Sequence, residues 1–266
     1  MIKVSNIQSV GCRECRDKTK LDINFTMAFQ PIVDIFNKTI FGYEALVRGP
    51  NNESAASILS QLNDNNRYQF DQAIRVKAIQ LAKKLGLQGM LSINFLPNAV
   101  YRAESCIRAT LEAAAEMDFP TDRIIFEVNE SEEILDNDHL RNIFTEYKKH
   151  RFVTAIDDFG AGYAGLNLLA NWQPDIIKLD MSLTRNVNSD RVRRALVFGI
   201  ISICKVLNIK VIAEGIETVE ECLTLADEGV ILFQGYLFAR PSLESLPIVP
   251  DEIWPMVKTR RARDRR

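Results

Sequence analysis

Short runs rich in β-branched residues recur along the chain, TIFGYEALVR (39–48), MLSIN (90–94), RIIFEV (123–128), FVTAI (152–156), DIIKL (175–179) and KVIA (210–213), with a helix-like segment between each and the next. Strands and helices alternating at this spacing make parallel βα units. An earlier run, MAFQPIVDI (27–35), is separated from TIFGYEALVR only by FNK (36–38). That link is too short for a crossover and predicts an antiparallel opening pair. A last short strand near VILF (230–233) brings the number to eight. The prediction is an α/β fold, a modified (β/α)8 TIM-type barrel that begins with an inverted pair.

Helices are predicted over 70–85, 98–117, 136–149, 163–170, 191–207 and 219–227. In the first of them Ile74, Ala78, Leu81 and Leu85 share one face, and Gly86 and Gly89 end it. The competing architecture, an open doubly wound sheet, calls for a glycine-rich phosphate turn at its first βα connection, and the chain has no GxGxxG there and no GxxxxGK[ST].

With 266 residues, 47% of them hydrophobic, the chain can bury a large core without disulfides. Its cysteines, Cys12, Cys15, Cys106, Cys204 and Cys222, are odd in number and scattered, which fits reduced thiols. Cys12 and Cys15 form a CxxC with no second pair and no nearby histidine, so free thiols are expected there rather than a zinc site. A net charge of -2 gives no basic field for duplex nucleic acid. No apolar run reaches the roughly 20 residues of a membrane span, and Met1–Gly11 lacks the pattern of a signal peptide. The expected location is cytoplasmic. Residues 1–24 read as a leader, 25–250 as the domain, and 251–266 as a basic, solvated tail.

Polar side chains stand at the ends of the strand-like runs: Glu44, Asn94, Glu127, Asp157, Asp158 and Glu214. One acid at a strand end is an ordinary helix cap. Six in register converge on the carboxyl end of a barrel, where such folds keep their chemistry. The set offers oxygen ligands only, and the two histidines, His139 and His150, fall on or just after a predicted helix. Mg²⁺ or Mn²⁺ is therefore favoured over zinc. Adjacent aspartates can reach two ions, the arrangement of two-metal hydrolysis at phosphorus. Lys178 points to the same rim, where it can orient water or offset charge, and Asp180 shares its strand face and can hold it. Gly160, Gly162 and Gly165 make DDFGAGYAGL (157–166) a mobile loop beside the metals. Phe41, Tyr43 and Phe95 read as core, Tyr236 and Phe238 as candidates to stack on a base.

Glu44-Ala45-Leu46 followed by Val47-Arg48, together with QPIVD, INFLP, FEVNES, DDFGAGY, DIIKLD, IAEGIET and QGYLFARP in order, closely resembles the EAL family of bacterial cyclic di-GMP phosphodiesterases, from about Phe25 to Pro241. The resemblance implies a barrel with an antiparallel first strand and hydrolysis of one phosphodiester of cyclic di-GMP to linear pGpG with two Mg²⁺ or Mn²⁺ ions. It implies that Glu44, Asn94, Glu127 and Asp157 hold one ion, with Asp157 bridging to a second held by Asp158 and Glu214, while Lys178 assists the water. Glu130 would hold the DDFG loop in its working conformation, and Glu217 would lie near the metals. Gln30, Arg48 and Asp71 would contact the dinucleotide, Arg48 through phosphate. A homodimer formed near the DDFG loop is also implied. Ala161, Ala164-Gly165 and Asn129 depart from the residues usual at their positions, but no implied ligand is lost. Silent family members that only bind or regulate usually lose such ligands, so the resemblance favours an enzyme over a receptor.

Overall fold

The structure is a computed structural model, and residues 21–100, 102–130, 137–162 and 165–258 are described. The CxxC at Cys12 and Cys15, the leader up to residue 20, residues 163–164 and the tail beyond Lys258 lie outside the described residues. Strands β1 (Thr26–Asp34), β2 (Thr39–Arg48), β3 (Met90–Asn94), β4 (Ile124–Asn129), β5 (Val153–Phe159), β6 (Ile176–Leu179), β7 (Lys210–Ala213) and β8 (Leu232–Phe233) close into a barrel. Pairing is parallel from β2 round to β8. β1 closes the ring by pairing antiparallel with both β2 and β8. The inverted pair at the start of the fold is thus as the sequence indicates. A short β9 (Ser242–Leu243) takes the same edge of β1 nearer its beginning.

Side chains alternate along a strand, so each barrel strand has an inward row and an outward row. Outward rows meet the surrounding helices in one large apolar core that includes Leu91, Ile93, Phe126, Val128, Ile156, Ile177 and Leu179. Inward rows make a separate, smaller cluster of Ile32, Ile125, Ala155, Ile176, Ile212 and Leu232. The residue two positions nearer the mouth is polar in every one of these cases: Gln30, Glu127, Asp157, Lys178, Glu214 and Gln234. A dry layer therefore floors a polar one.

The helix Arg191–Leu207 and the helix Val219–Asp227 have the bounds expected from the sequence. The latter opens on a capping box in which Thr218 and Glu221 satisfy each other's backbone donors. The helix expected over 98–117 is broken into a 3₁₀ turn, Pro97–Ala99, and two helices, Ala103–Cys106 and Arg108–Glu116. Val100 and Arg102 take extended backbone between the pieces, which buries the Val100 side chain. Among the described residues no helix is long and apolar enough to cross a membrane.

Candidate active site

The polar layer gathers around one ammonium. Lys178 on β6 is buried, and its Nζ lies 3.2 Å from Glu44 Oε2, 3.0 Å from Glu127 Oε2, 2.9 Å from Asp157 Oδ1 and 2.8 Å from Glu214 Oε1. Burial works against the charged lysine, but the summed attraction of Asp157, Glu127, Glu214 and Glu44 outweighs it, and its pKa lies well above the usual value. Glu127 and Glu214 are pushed well above the carboxylate range, first by burial and then by their acidic neighbours, with Lys178 opposing. One cation does not balance these acids.

Partners fix the direction of the carboxylates. Asn94 donates to Glu44 Oε1 at 2.8 Å, Gln234 to Glu44 Oε2 at 2.7 Å, and Ser92 to Glu127. Gln30 accepts from Gln234 and donates to the Ala239 carbonyl. The two aspartates in sequence would normally face opposite sides of β5. The pairing of β5 with β6 shifts register between Ile156 and Phe159, and Asp158 takes a left-handed φ of 53°. This irregularity turns both carboxylates toward the site.

Oxygen atoms of Glu44, Glu127 and Asp157 lie within 4.8 Å of one another, and so do those of Asp157, Asp158 and Glu214. The groups share Asp157. Its Oδ1 is buried and accepts no hydrogen bond, although Lys178 Nζ stands beside it. An acidic, oxygen-only set with an under-coordinated oxygen at its shared member fits hard divalent cations.

Beside the ring, Glu130 holds the DDFG loop. Its Oε2 accepts from the N–H of Gly160 at 2.5 Å and of Gly162 at 3.4 Å, and its Oε1 from that of Gly165 at 2.6 Å. A Cβ at residue 165 would stand 2.9 Å from Glu130 Oε1 and 3.0 Å from the Phe159 ring, so glycine permits this close seat. Asn129 donates to Asp158.

The other expected site residues have partners of their own. Asp71 is fully buried outside the barrel against Arg75, with no surface to present to a dinucleotide. Asp180 does not hold Lys178; it caps the short helix Met181–Thr184, accepting from Ser182 N at 2.8 Å, because the strand ends at Leu179 and its alternation with it. Glu217 is exposed and pairs with Arg185 at 2.7 Å. Phe238 is core, packed on Phe233, and cannot stack on a ligand. Tyr236 is 48% exposed, with the Arg240 guanidinium 4.0 Å from its ring centre. Arg48, at the end of β2, donates to its neighbour's carbonyl, Val47 O. Gln234 and Ser92 were not among the residues singled out from the sequence. Both obey the rule that found the others, a polar residue on the inward row near the end of a strand.

Asp158 gives the site a pH signature. Burial, then the charge of Asp157, raise its pKa to about 6, against the Asn129 hydrogen bond. A carboxyl whose pKa is higher folded than unfolded stabilises the fold at low pH and loses that contribution as pH rises through the folded value. In chelator, Asp158→Asn is therefore expected to gain stability relative to the wild type as pH goes from 4.5 to 7. Urea melts at several pH values read this, and a constant difference would contradict it.

The family model described as EAL domain matches residues 14–241. The blue light- and temperature-regulated antirepressor BluF of Escherichia coli is 35% identical over 237 residues, 89% of this chain and 58% of that protein. The cyclic di-GMP phosphodiesterase PdeR of Escherichia coli is 33% identical over 152 residues, 57% of this chain and 22% of that protein. The chain thus spans little more than half the length of the first relative and less of the second. A standalone versatile EAL protein from Vibrio cholerae O395, solved in its c-di-GMP bound form, is 55% identical with a TM-score of 0.85, over 88% of this chain and 99% of that one. BlrP1 of Klebsiella pneumoniae, in a manganese/cy-diGMP complex, is 34% identical with a TM-score of 0.80, over 85% of this chain and 58% of that one.

Proposed function

Because the chain belongs to the EAL-domain family, we propose that it hydrolyses one phosphodiester of cyclic di-GMP to linear pGpG. The observation that supports this best is the carboxylate ring in two groups sharing Asp157. Glu44, Glu127 and Asp157, with Asn94 beside Glu44, would hold one Mg²⁺ or Mn²⁺, and Asp157, Asp158 and Glu214 a second. When bound, such ions activate water and act as Lewis acids toward phosphoryl oxygen.

The chain's own groups supply the rest. Lys178 touches four of the carboxylates and is placed to hydrogen-bond a water lodged among them and to offset charge growing on the phosphoryl oxygens. Gln234 and Asn94 fix the Glu44 carboxylate from two sides, so its oxygens need not reorganise when a cation arrives. Tyr236 with Arg240 offers an exposed aromatic face for a guanine, and Arg48 a guanidinium at the rim for phosphate. The oxygen set and the retained Lys178 support an enzyme; the likeness to an antirepressor supports a second reading, a receptor that signals without turnover. A homodimer formed near the DDFG loop belongs to the same proposal, where Leu166, in the helix Gly165–Asn171 that follows the loop, is exposed.

Purified protein incubated with cyclic di-GMP and Mg²⁺ or Mn²⁺ is expected to yield pGpG, and chelator to stop it. Tight binding without product in either metal would replace the enzyme by the receptor.

A further inference from the structure

Outside the barrel, at the ends of β3 and β4, lies an ion pair with no access to solvent. Arg75, in the helix Arg67–Lys84, and Asp71, one turn earlier, are both 0% exposed and 2.6 Å apart. Arg75 Nη1 also donates to the Tyr147 hydroxyl at 2.8 Å. Its guanidinium carbon lies 5.3 Å from the centre of the Phe95 ring and 5.1 Å from that of Phe126. Those rings belong to the residue after Asn94 and the residue before Glu127. The other Asp71 oxygen accepts from Leu96 N–H at 2.9 Å, and Phe95 N–H donates to the carbonyl of Glu127 at 3.0 Å.

Stability does not account for this pair, since apolar residues of similar volume in place of a buried ion pair are often as stable or more so. What two apolar residues cannot provide is an acceptor for Leu96 N–H, past the last residue of β3. We propose that Asp71 is a positioning residue for the ring: its carboxylate, charge-balanced by Arg75, pins the turn after β3 through Leu96 N–H and, with the Phe95 N–H bond to the Glu127 carbonyl, sets where Asn94 and Glu127 present their oxygens. This rests on the proposed metal-binding reading of the ring.

The test compares Asp71→Leu/Arg75→Met, which removes the acceptor, with Asp71→Asn/Arg75→Met, which keeps an amide oxygen for Leu96. Neither leaves a buried charge unpaired. Both are expected to melt within about 5 °C of the wild type. The leucine variant should bind Mn²⁺ about ten-fold more weakly by titration calorimetry and exchange amide hydrogens faster across residues 95–100. The asparagine variant should keep near wild-type values in both. Should the leucine variant not fold, Asp71→Ala/Arg75→Met takes its place with the same outcomes. Wild-type affinity and exchange in all variants would overturn the proposal, as would equal loss in the acceptor-free and asparagine variants. A wild type that binds no Mn²⁺ defeats the metal reading alone, because the exchange comparison needs no metal and still decides the pinning of the turn.

Discussion

Lys178→Met is expected to make the stability of the barrel depend on divalent cations. In the wild type four carboxylates share, at 2.8–3.2 Å, one ammonium that is itself shut off from solvent. Methionine keeps much of the side-chain volume and removes the charge. Breaking a buried ion pair on one side typically destabilises by about 3–5 kcal/mol, which corresponds to roughly 10 °C in the melting temperature of a domain this large. Burial and mutual repulsion already hold Glu127 and Glu214 well above the usual carboxylate range, so without the lysine the ring relieves itself by taking up protons. The loss should then grow as pH rises in chelator. Excess Mg²⁺ or Mn²⁺ supplies the missing positive charge and should restore most of the melting temperature, though not turnover. An equal fall in melting temperature with and without the ions would show that ammonium and cation do not substitute for each other.

Glu130→Ala acts on the loop rather than on the ring. One carboxylate here accepts three backbone N–H groups, from Gly160, Gly162 and Gly165. Alanine leaves them without that acceptor, at a cost of about 1–3 kcal/mol for each that stays buried, and the loop should avoid the cost by moving out to water. Asp157 and Asp158 begin the same loop, so their oxygens lose their fixed separation. A misplacement near 1 Å lowers turnover about 100-fold. Hydrogen exchange across residues 158–166 should rise while the β3 and β4 peptides keep their protection. Glu130→Gln, which retains an acceptor oxygen, should lie between the two. Full turnover in the alanine variant would remove the loop from the mechanism.

What the sequence reveals of this site follows strand geometry. Glu44, Asn94, Glu127, Asp157 and Glu214 were legible because a strand has period two and a parallel barrel aligns its carboxyl ends, so a polar residue on the inward row in the carboxyl-terminal half of a run had to face the mouth. The same rule reaches Gln234 and Ser92, an amide and a hydroxyl that bring no charge to the ring and act by donating to Glu44 and Glu127. It fails where the period stops. Asp180 lies two residues after Lys178, but the chain has already turned into a helix, and its carboxylate caps that helix. Asp71 and Glu217 were carried by motif position alone. Only tertiary contacts show that the first is shut in with Arg75 and the second paired with Arg185. The double presentation of Asp157 and Asp158 depends on a register shift that no local pattern announces.

The inverted first strand has one more effect, on how the chain is strung through the barrel. Thr26, the first residue of β1, lies opposite Arg48, the last of β2, so the polypeptide enters at the rim that carries the carboxylates. In a barrel of eight parallel strands the lead-in segment is attached at the far end, insulated from the chemistry by the length of a strand. Here it is attached at the mouth, four residues from Gln30, which reaches Glu44 through Gln234. Tension or docking on the residues ahead of Thr26 would act on the rim directly, as a cord tied at the neck of a vessel rather than at its base.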